Sequence, residues 1–183
     1  MKKYPDNTIG LIGHSIINYP SPELAMAAVG LMAEVGVDLI ELQIPFSEPI
    51  ADGPVFMAAN HAALAAGVTV KDCFNFMQQA SAKWQVPLVF MTYANIIYKQ
   101  GFAEFVAHAK AVGAKGAIVP DLPIDMAAEY LAACEQQDFA PVQVIPPNVS
   151  DARLKLLTKA SKGFVYAVAR TGVTGAKRNL GRN

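Results

Sequence analysis

Ile17-Asn18-Tyr19-Pro20-Ser21-Pro22 closes an apolar run that begins at Ile9, and what it lacks decides the fold. A doubly wound sheet that binds a nucleotide needs glycines in the turn after its first strand, because only glycine lets the backbone close on a phosphate. This hexapeptide has none, and no Gly-x-Gly-x-x-Gly occurs elsewhere in the chain. An apolar run feeding a Pro/Ser turn, with a helical pattern starting at Glu23, reads instead as the first step of a parallel barrel.

The same step recurs outward along the chain, about every 25 to 35 residues, the length of a β/α unit. Strands are expected at Ile9–Ile17, Leu39–Ile44, Leu88–Thr92, Gly116–Val119, Ala140–Ile145 and Phe164–Ala169. Helical spacing covers Glu23–Val35, Phe56–Ala66, Val70–Ala82, Phe102–Val112, Met126–Gln136 and Ala152–Ser161, several of these runs preceded by Ser or Asp as N-cap. Gly36, Gly67 and Gly113 fall where helices should stop. The expected fold class is α/β, a TIM-type (β/α) barrel with about six of the usual eight β/α units, forming one domain over residues 1–183 that is incomplete at its C-terminus.

Composition narrows the function. The net charge is zero and no lysine or arginine block is interleaved with aromatics, which argues against nucleic acid. Although 53% of residues are hydrophobic, no uninterrupted apolar span is long enough for a membrane. The start, Met1 to Asn7, is not followed by a secretory apolar core, so a cytoplasmic location is expected. Cys73 and Cys134 are far apart, show no metal-ligand spacing and read as buried thiols; no metal site is expected.

Polar residues collect at the carboxyl ends of the expected strands, the catalytic face of a barrel: Glu41 and Gln43, Tyr93 and Asn95, Pro120 to Pro123, Pro146 to Asn148, and Arg170 to Gly172. Glu41 sits within an apolar strand, where an ionised carboxylate is costly to hold, and Asp52 lies in a proline-rich polar loop eleven residues on. Two acids in such different surroundings are suited to acid/base chemistry. Tyr93 and Tyr166, near strand ends, are read either as inward-packed rings or as hydroxyls supporting substrate or Glu41. Thr174 and Gly175 belong to a two-glycine segment, Arg170 to Gly175, that could close over an anion or serve as a turn. His14, His61 and His108 share no ligand or triad spacing and are read as structural.

The stretch Glu41-Leu42-Gln43-Ile44-Pro45-Phe46-Ser47-Glu48-Pro49-Ile50-Ala51-Asp52-Gly53-Pro54 resembles the signature of the tryptophan synthase alpha subunit family. Met91 to Asn95 with Gly101, Val119 to Pro123 and Tyr166 to Gly175 agree in the same order. The resemblance implies retro-aldol cleavage of indole-3-glycerol phosphate to indole and glyceraldehyde 3-phosphate, in tryptophan biosynthesis. It implies Glu41 as the acid/base, Asp52 as the acceptor of the indole N–H, Tyr166 as support for the glutamate, Tyr93 in the indole pocket, and Thr174 with Gly175 in the closing loop. It also implies no cofactor on this chain and a beta-subunit partner carrying pyridoxal phosphate, met through Glu48, Pro49, Asp121 and Pro123.

Some residues depart from that pattern. Gln43 stands where the signature has glycine, bringing a long side chain toward the indole pocket, and Glu48 stands where it has aspartate. His14-Ser15-Ile16-Ile17-Asn18 replaces an aromatic, threonine and glycine pattern. After Gly175 the remaining residues are basic, polar and too few for strands seven and eight, whose glycine-rich turns bind phosphate in the family. The alternative is a non-catalytic homologue or fragment that binds or activates the beta subunit, or self-associates.

Overall fold

The computed structural model describes residues 9–49 and 52–169. Six strands, β1 (Ile12–Ile16), β2 (Leu39–Gln43), β3 (Leu88–Met91), β4 (Gly116–Ile118), β5 (Ala140–Ile145) and β6 (Val165–Ala167), pair in chain order, every pair parallel. Seven helices connect them: α1 (Pro22–Glu34), α2 (Pro54–Ala65), α3 (Val70–Lys83), α4 (Ala94–Gln100), α5 (Phe102–Ala111), α6 (Ala128–Gln136) and α7 (Asp151–Ala160). Strand order equal to chain order, with a helix in each crossover, is the signature of a singly wound barrel wall rather than a doubly wound sheet. The described strands form a curled half-barrel, with β1 and β6 as its outermost members.

Local chemistry explains the helix starts. The Ser21 hydroxyl accepts the Leu24 N–H, with Pro22 preset for the first helical position. Thr69 and Asp72 form a reciprocal capping box at α3, and Ser150 caps α7 through the Arg153 N–H. The expected stops hold too: Gly36, Gly67 and Gly113 have φ of 83°, 85° and 96°, a backbone that side chains with a Cβ resist.

The boundaries shift where a tertiary partner or a proline intervenes. β1 begins at Ile12 rather than Ile9, whose neighbours are exposed, and β4 and β6 are each three residues long. α2 starts at Pro54, two residues before the apolar periodicity, because a first-turn proline sacrifices no helical hydrogen bond. α4 was not expected at all. Ahead of α6, Ile124–Met126 forms a 3-10 turn, so the helix expected from Met126 begins at Ala128.

Strand parity sorts the core into two layers. Ile40, Leu42, Ile44, Leu88, Phe90 and Ala117 pack outward against Phe74, Met77, Ile97, Phe105 and Tyr130 of the helices. Leu39, Val89, Ile118 and Val142 cluster on the opposite, barrel-facing side. Burial on both faces is the rule for parallel sheets, and it explains the continuous apolar runs in β2 and β3. Glu41 and Gln43 share parity with Leu39, and the β1–β2 register sets His14 beside Glu41 and Ile16 beside Gln43. Both thiols are buried as expected, Cys73 in α3 and Cys134 in α6. No helix among the described residues is long and apolar enough to cross a membrane.

Candidate active site

The barrel-facing carboxyl ends of β1 and β2 carry a continuous polar network. Glu41 is 5% exposed and Gln43 fully buried, so neither polar group can rely on water. The Glu41 carboxylate lies 3.1 Å from His14 Nδ1, and the other imidazole nitrogen, Nε2, lies 3.0 Å from Gln43 Oε1. The Gln43 amide nitrogen donates to Asp52 Oδ2 at 2.6 Å. The Asp52 backbone N–H donates to the Pro49 carbonyl at 2.9 Å, which helps to hold the carboxylate at this point.

Asn60, fully buried in α2, anchors the far end. Its amide nitrogen donates to the Phe56 carbonyl at 2.8 Å and to Asp52 Oδ2 at 3.2 Å, while its oxygen accepts the Phe46 N–H at 3.0 Å. Both carboxylates singled out in the sequence therefore belong to one hydrogen-bonded chain, Glu41–His14–Gln43–Asp52–Asn60. The Phe56 ring and the His14 imidazole meet in a T-shaped contact, with centroids 5.0 Å apart at 86°. That contact limits the rotation of the imidazole.

The other expected residues occupy different positions. Tyr93 is fully buried at the start of α4, with its ring stacked on Phe46 at 4.7 Å. This pair lies against the same loop that carries Asp52. Tyr166 sits on β6 and is 39% exposed; no hydrogen bond joins it to Glu41 or Asp52. Burial first, then the charges of Glu41 and Asp52, push its hydroxyl above the ordinary tyrosine range. That electrostatic reach from β2 to β6 reflects the curl of the sheet. Glu48 is exposed and Pro49 buried. Asp121 accepts the Ala94 N–H, and Pro123, exposed, precedes the 3-10 turn. Thr174 and Gly175 lie outside the described residues.

Sequence reading placed Gln43 on the catalytic face but took His14 for a structural residue and did not single out Asn60. His14 is 27 residues from Glu41, and only strand register reveals that they are neighbours. Asn60 did leave a signal: in Ala58-Ala59-Asn60-His61-Ala62-Ala63 it is a polar residue on the helix face that also buries Ala59 and Ala63. Among the described residues there is no cluster of His, Cys, Asp and Glu able to hold a metal ion.

Comparison with known proteins gives a consistent answer. A family model described as tryptophan synthase alpha chain matches residues 2–183. The tryptophan synthase alpha chain of Desulforapulum autotrophicum is 50% identical over 165 residues, covering 90% of this chain and 65% of the relative. That of Syntrophotalea carbinolica is 46% identical over 178 residues, covering 97% and 70%. A solved structure of Mycobacterium tuberculosis tryptophan synthase superposes with a TM-score of 0.86 at 37% identity, covering 92% of this chain and 65% of that one. The tryptophan synthase α2β2 complex from Pyrococcus furiosus gives 0.83 at 35% identity, covering 91% and 67%. The chain thus spans roughly two thirds of the length of its relatives, 65% of the first named. With the family model matching nearly its whole length and a solved member superposing over 92% of it, the chain belongs to the tryptophan synthase alpha chain family.

Proposed function

We propose that this chain cleaves indole-3-glycerol phosphate to indole and glyceraldehyde 3-phosphate, with Glu41 as the acid/base and Asp52 as the carboxylate that receives the indole N–H. One observation carries the reading: two carboxylates, both buried, stand at the carboxyl ends of the barrel wall and are joined through His14 and Gln43. The reaction requires a proton to reach indole C3 and another to leave the hydroxyl on the adjacent side-chain carbon. A single carboxyl group beside both atoms can do this in succession. Protonation at C3 turns the ring into an iminium-like indolenine, which takes up the electron pair of the breaking carbon–carbon bond. The substrate is its own electron sink, so the chemistry asks for no metal or organic cofactor on this chain. An ionised Asp52 facing the ring N–H stabilises the positive charge that develops there.

The reading includes a beta-subunit partner that carries pyridoxal phosphate and receives the indole. The exposed Glu48 and Pro123 are available for that contact, whereas Pro49 and Asp121 act from within their loops. Tyr93 would line the indole pocket beside Phe46, Tyr166 would stand behind the glutamate, and Thr174 with Gly175 would close over the substrate.

Incubation with indole-3-glycerol phosphate, with and without beta subunit, tests the proposal by the appearance of indole. Release that Glu41→Gln abolishes is expected. No release under either condition overturns it. Stimulation of beta-subunit chemistry that is unaffected by Glu41→Gln would instead mark a non-catalytic partner.

A further inference from the structure

We propose that His14 and Gln43 form a directional relay that keeps one proton at Glu41 while holding Asp52 ionised, making both of them positioning residues for the cleavage. This rests on the function proposed above but adds two residues at which the chain departs from the family signature.

The direction follows from the anchors at the Asn60 end. A backbone N–H can only donate and a carbonyl can only accept, so the contacts of Asn60 with Phe46 and Phe56 fix which side of its amide is oxygen. Its nitrogen therefore faces Asp52, and Asp52 accepts. The end of Gln43 that approaches Asp52 Oδ2 also lies 3.4 Å from Asn60 Oδ1, and two acceptors require a donor, so that end is the amide nitrogen. Gln43 must then turn its oxygen to His14, which obliges His14 Nε2 to carry hydrogen.

What remains is the contact between His14 Nδ1 and Glu41. With Nε2 protonated, the pair exists either as imidazolium with carboxylate or as neutral imidazole with carboxylic acid. Both forms hold one mobile proton in the same hydrogen bond. Without it, the Nδ1 lone pair would face a carboxylate oxygen at 3.1 Å in a site shut off from water on the Glu41 side.

This arrangement supplies both halves of the reaction. The shared proton passes to indole C3, and the carbon–carbon bond breaks with its electron pair returning to the ring. The hydroxyl proton of the departing carbon moves to Glu41, forming the aldehyde and restoring the shared proton. Asp52, already accepting from Gln43 and Asn60, stays anionic throughout and keeps its charge for the indole N–H. The titratable groups facing His14 are Glu41 directly and Asp52 through Gln43, with Tyr166 across the barrel close enough to feel both carboxylate charges.

The test is nitrogen NMR of the full chain with labelled imidazoles, using His14→Gln to assign the His14 signals among the three histidines. His14 Nε2 should remain protonated at every pH at which the chain is folded, while Nδ1 reports the proton shared with Glu41. Gln43→Met, similar in volume and without an amide, should release Nε2 from that state. It should also lower kcat for indole release by about 10- to 100-fold with little change in KM, and displace the acid limb of the pH profile. Gln43→Asn, which keeps the amide, should restore part of the rate.

An unprotonated Nε2 in the unmodified chain overturns the relay, and that measurement needs no variant to fold. His14 signals unmoved by Gln43→Met overturn it as well. Indole release with the wrong imidazole state sinks the relay alone. The expected imidazole state without indole release leaves the proton arrangement standing but sinks the cleavage reading and, with it, the positioning role.

Discussion

Asp121 Oδ1 accepts the backbone N–H of Ala94 at 2.8 Å, across 27 residues of sequence. The bond ties the loop after β4 to the first turn of α4, where Tyr93 offers no side-chain cap of its own. A carboxylate at a helix N-terminus satisfies an orphan donor and complements the helix dipole. Asp121→Ala should therefore cost about 1 kcal/mol, within the range of about 0.5–2 for a lost cap, read from the urea midpoint. Asp121→Asn should recover much of that loss, since its oxygen still accepts. Equal losses for the two variants would show that the bond is not what holds the loop.

That same bond shows where sequence reading reached its limit. The strand positions, the glycine stops and the barrel architecture follow from rules of period two, period 3.6 and turn chemistry, all of them local. α4 has only seven residues, too few to display a helical period, and its cap comes from another strand's loop. Glu41 and Asp52 were visible because each is anomalous in its own setting. His14 and Asn60 became functional candidates, and Gln43 became their link, only when parallel register put β1 beside β2 and α2 came against Gln43. Asp121 and Pro49, expected to meet a partner, have structural tasks that a signature cannot express.

Gly116 and Gly67 separate two reasons for a glycine. A Cβ at Gly116 would lie 2.4 Å from the Ala140 carbonyl oxygen in the neighbouring strand, so β4 and β5 would have to part. Gly116→Ala should destabilise by about 1–3 kcal/mol, the usual range for overpacking. Gly67 has open space around it but a φ of 85°. Gly67→Ala should cost about 1 kcal/mol through the backbone alone. Denaturation midpoints for the two variants check both values, and an unchanged Gly116→Ala would refute the strand contact.

Burial pushes the Cys73 and Cys134 thiols up to about 12. Unfolded, a thiol releases its proton near about 8.5. Between those values the unfolded chain binds fewer protons than the folded one, so stability falls as pH rises, by about 1.4 kcal/mol per pH unit for each thiol. The slope sets in through about pH 8.5 and fades below about pH 7.5, where the unfolded thiols also keep their protons. Urea unfolding between pH 8 and 10 should show this decline, and the Cys73→Ala, Cys134→Ala double variant should flatten it. The native thiols should also react slowly with alkylating reagents until the chain unfolds.

Glu41→Gln and Asp52→Asn should separate the two carboxylate roles within the proposed cleavage. Glutamine at 41 still fills the space and can accept or donate toward His14, so the fold should survive, but it can neither deliver nor collect a proton. Indole release should fall by about 10²- to 10⁴-fold. Asparagine at 52 keeps an oxygen for the donors on Gln43 and Asn60, and only its charge is lost. The missing charge should lower kcat by about 10²-fold, the scale of one electrostatic contact made in the transition state. It should leave residual activity that Glu41→Gln lacks. Steady-state kinetics on both variants, with circular dichroism to verify folding, decides the assignment. Equal residual activity would mean that the proton and the charge are not divided between these two side chains.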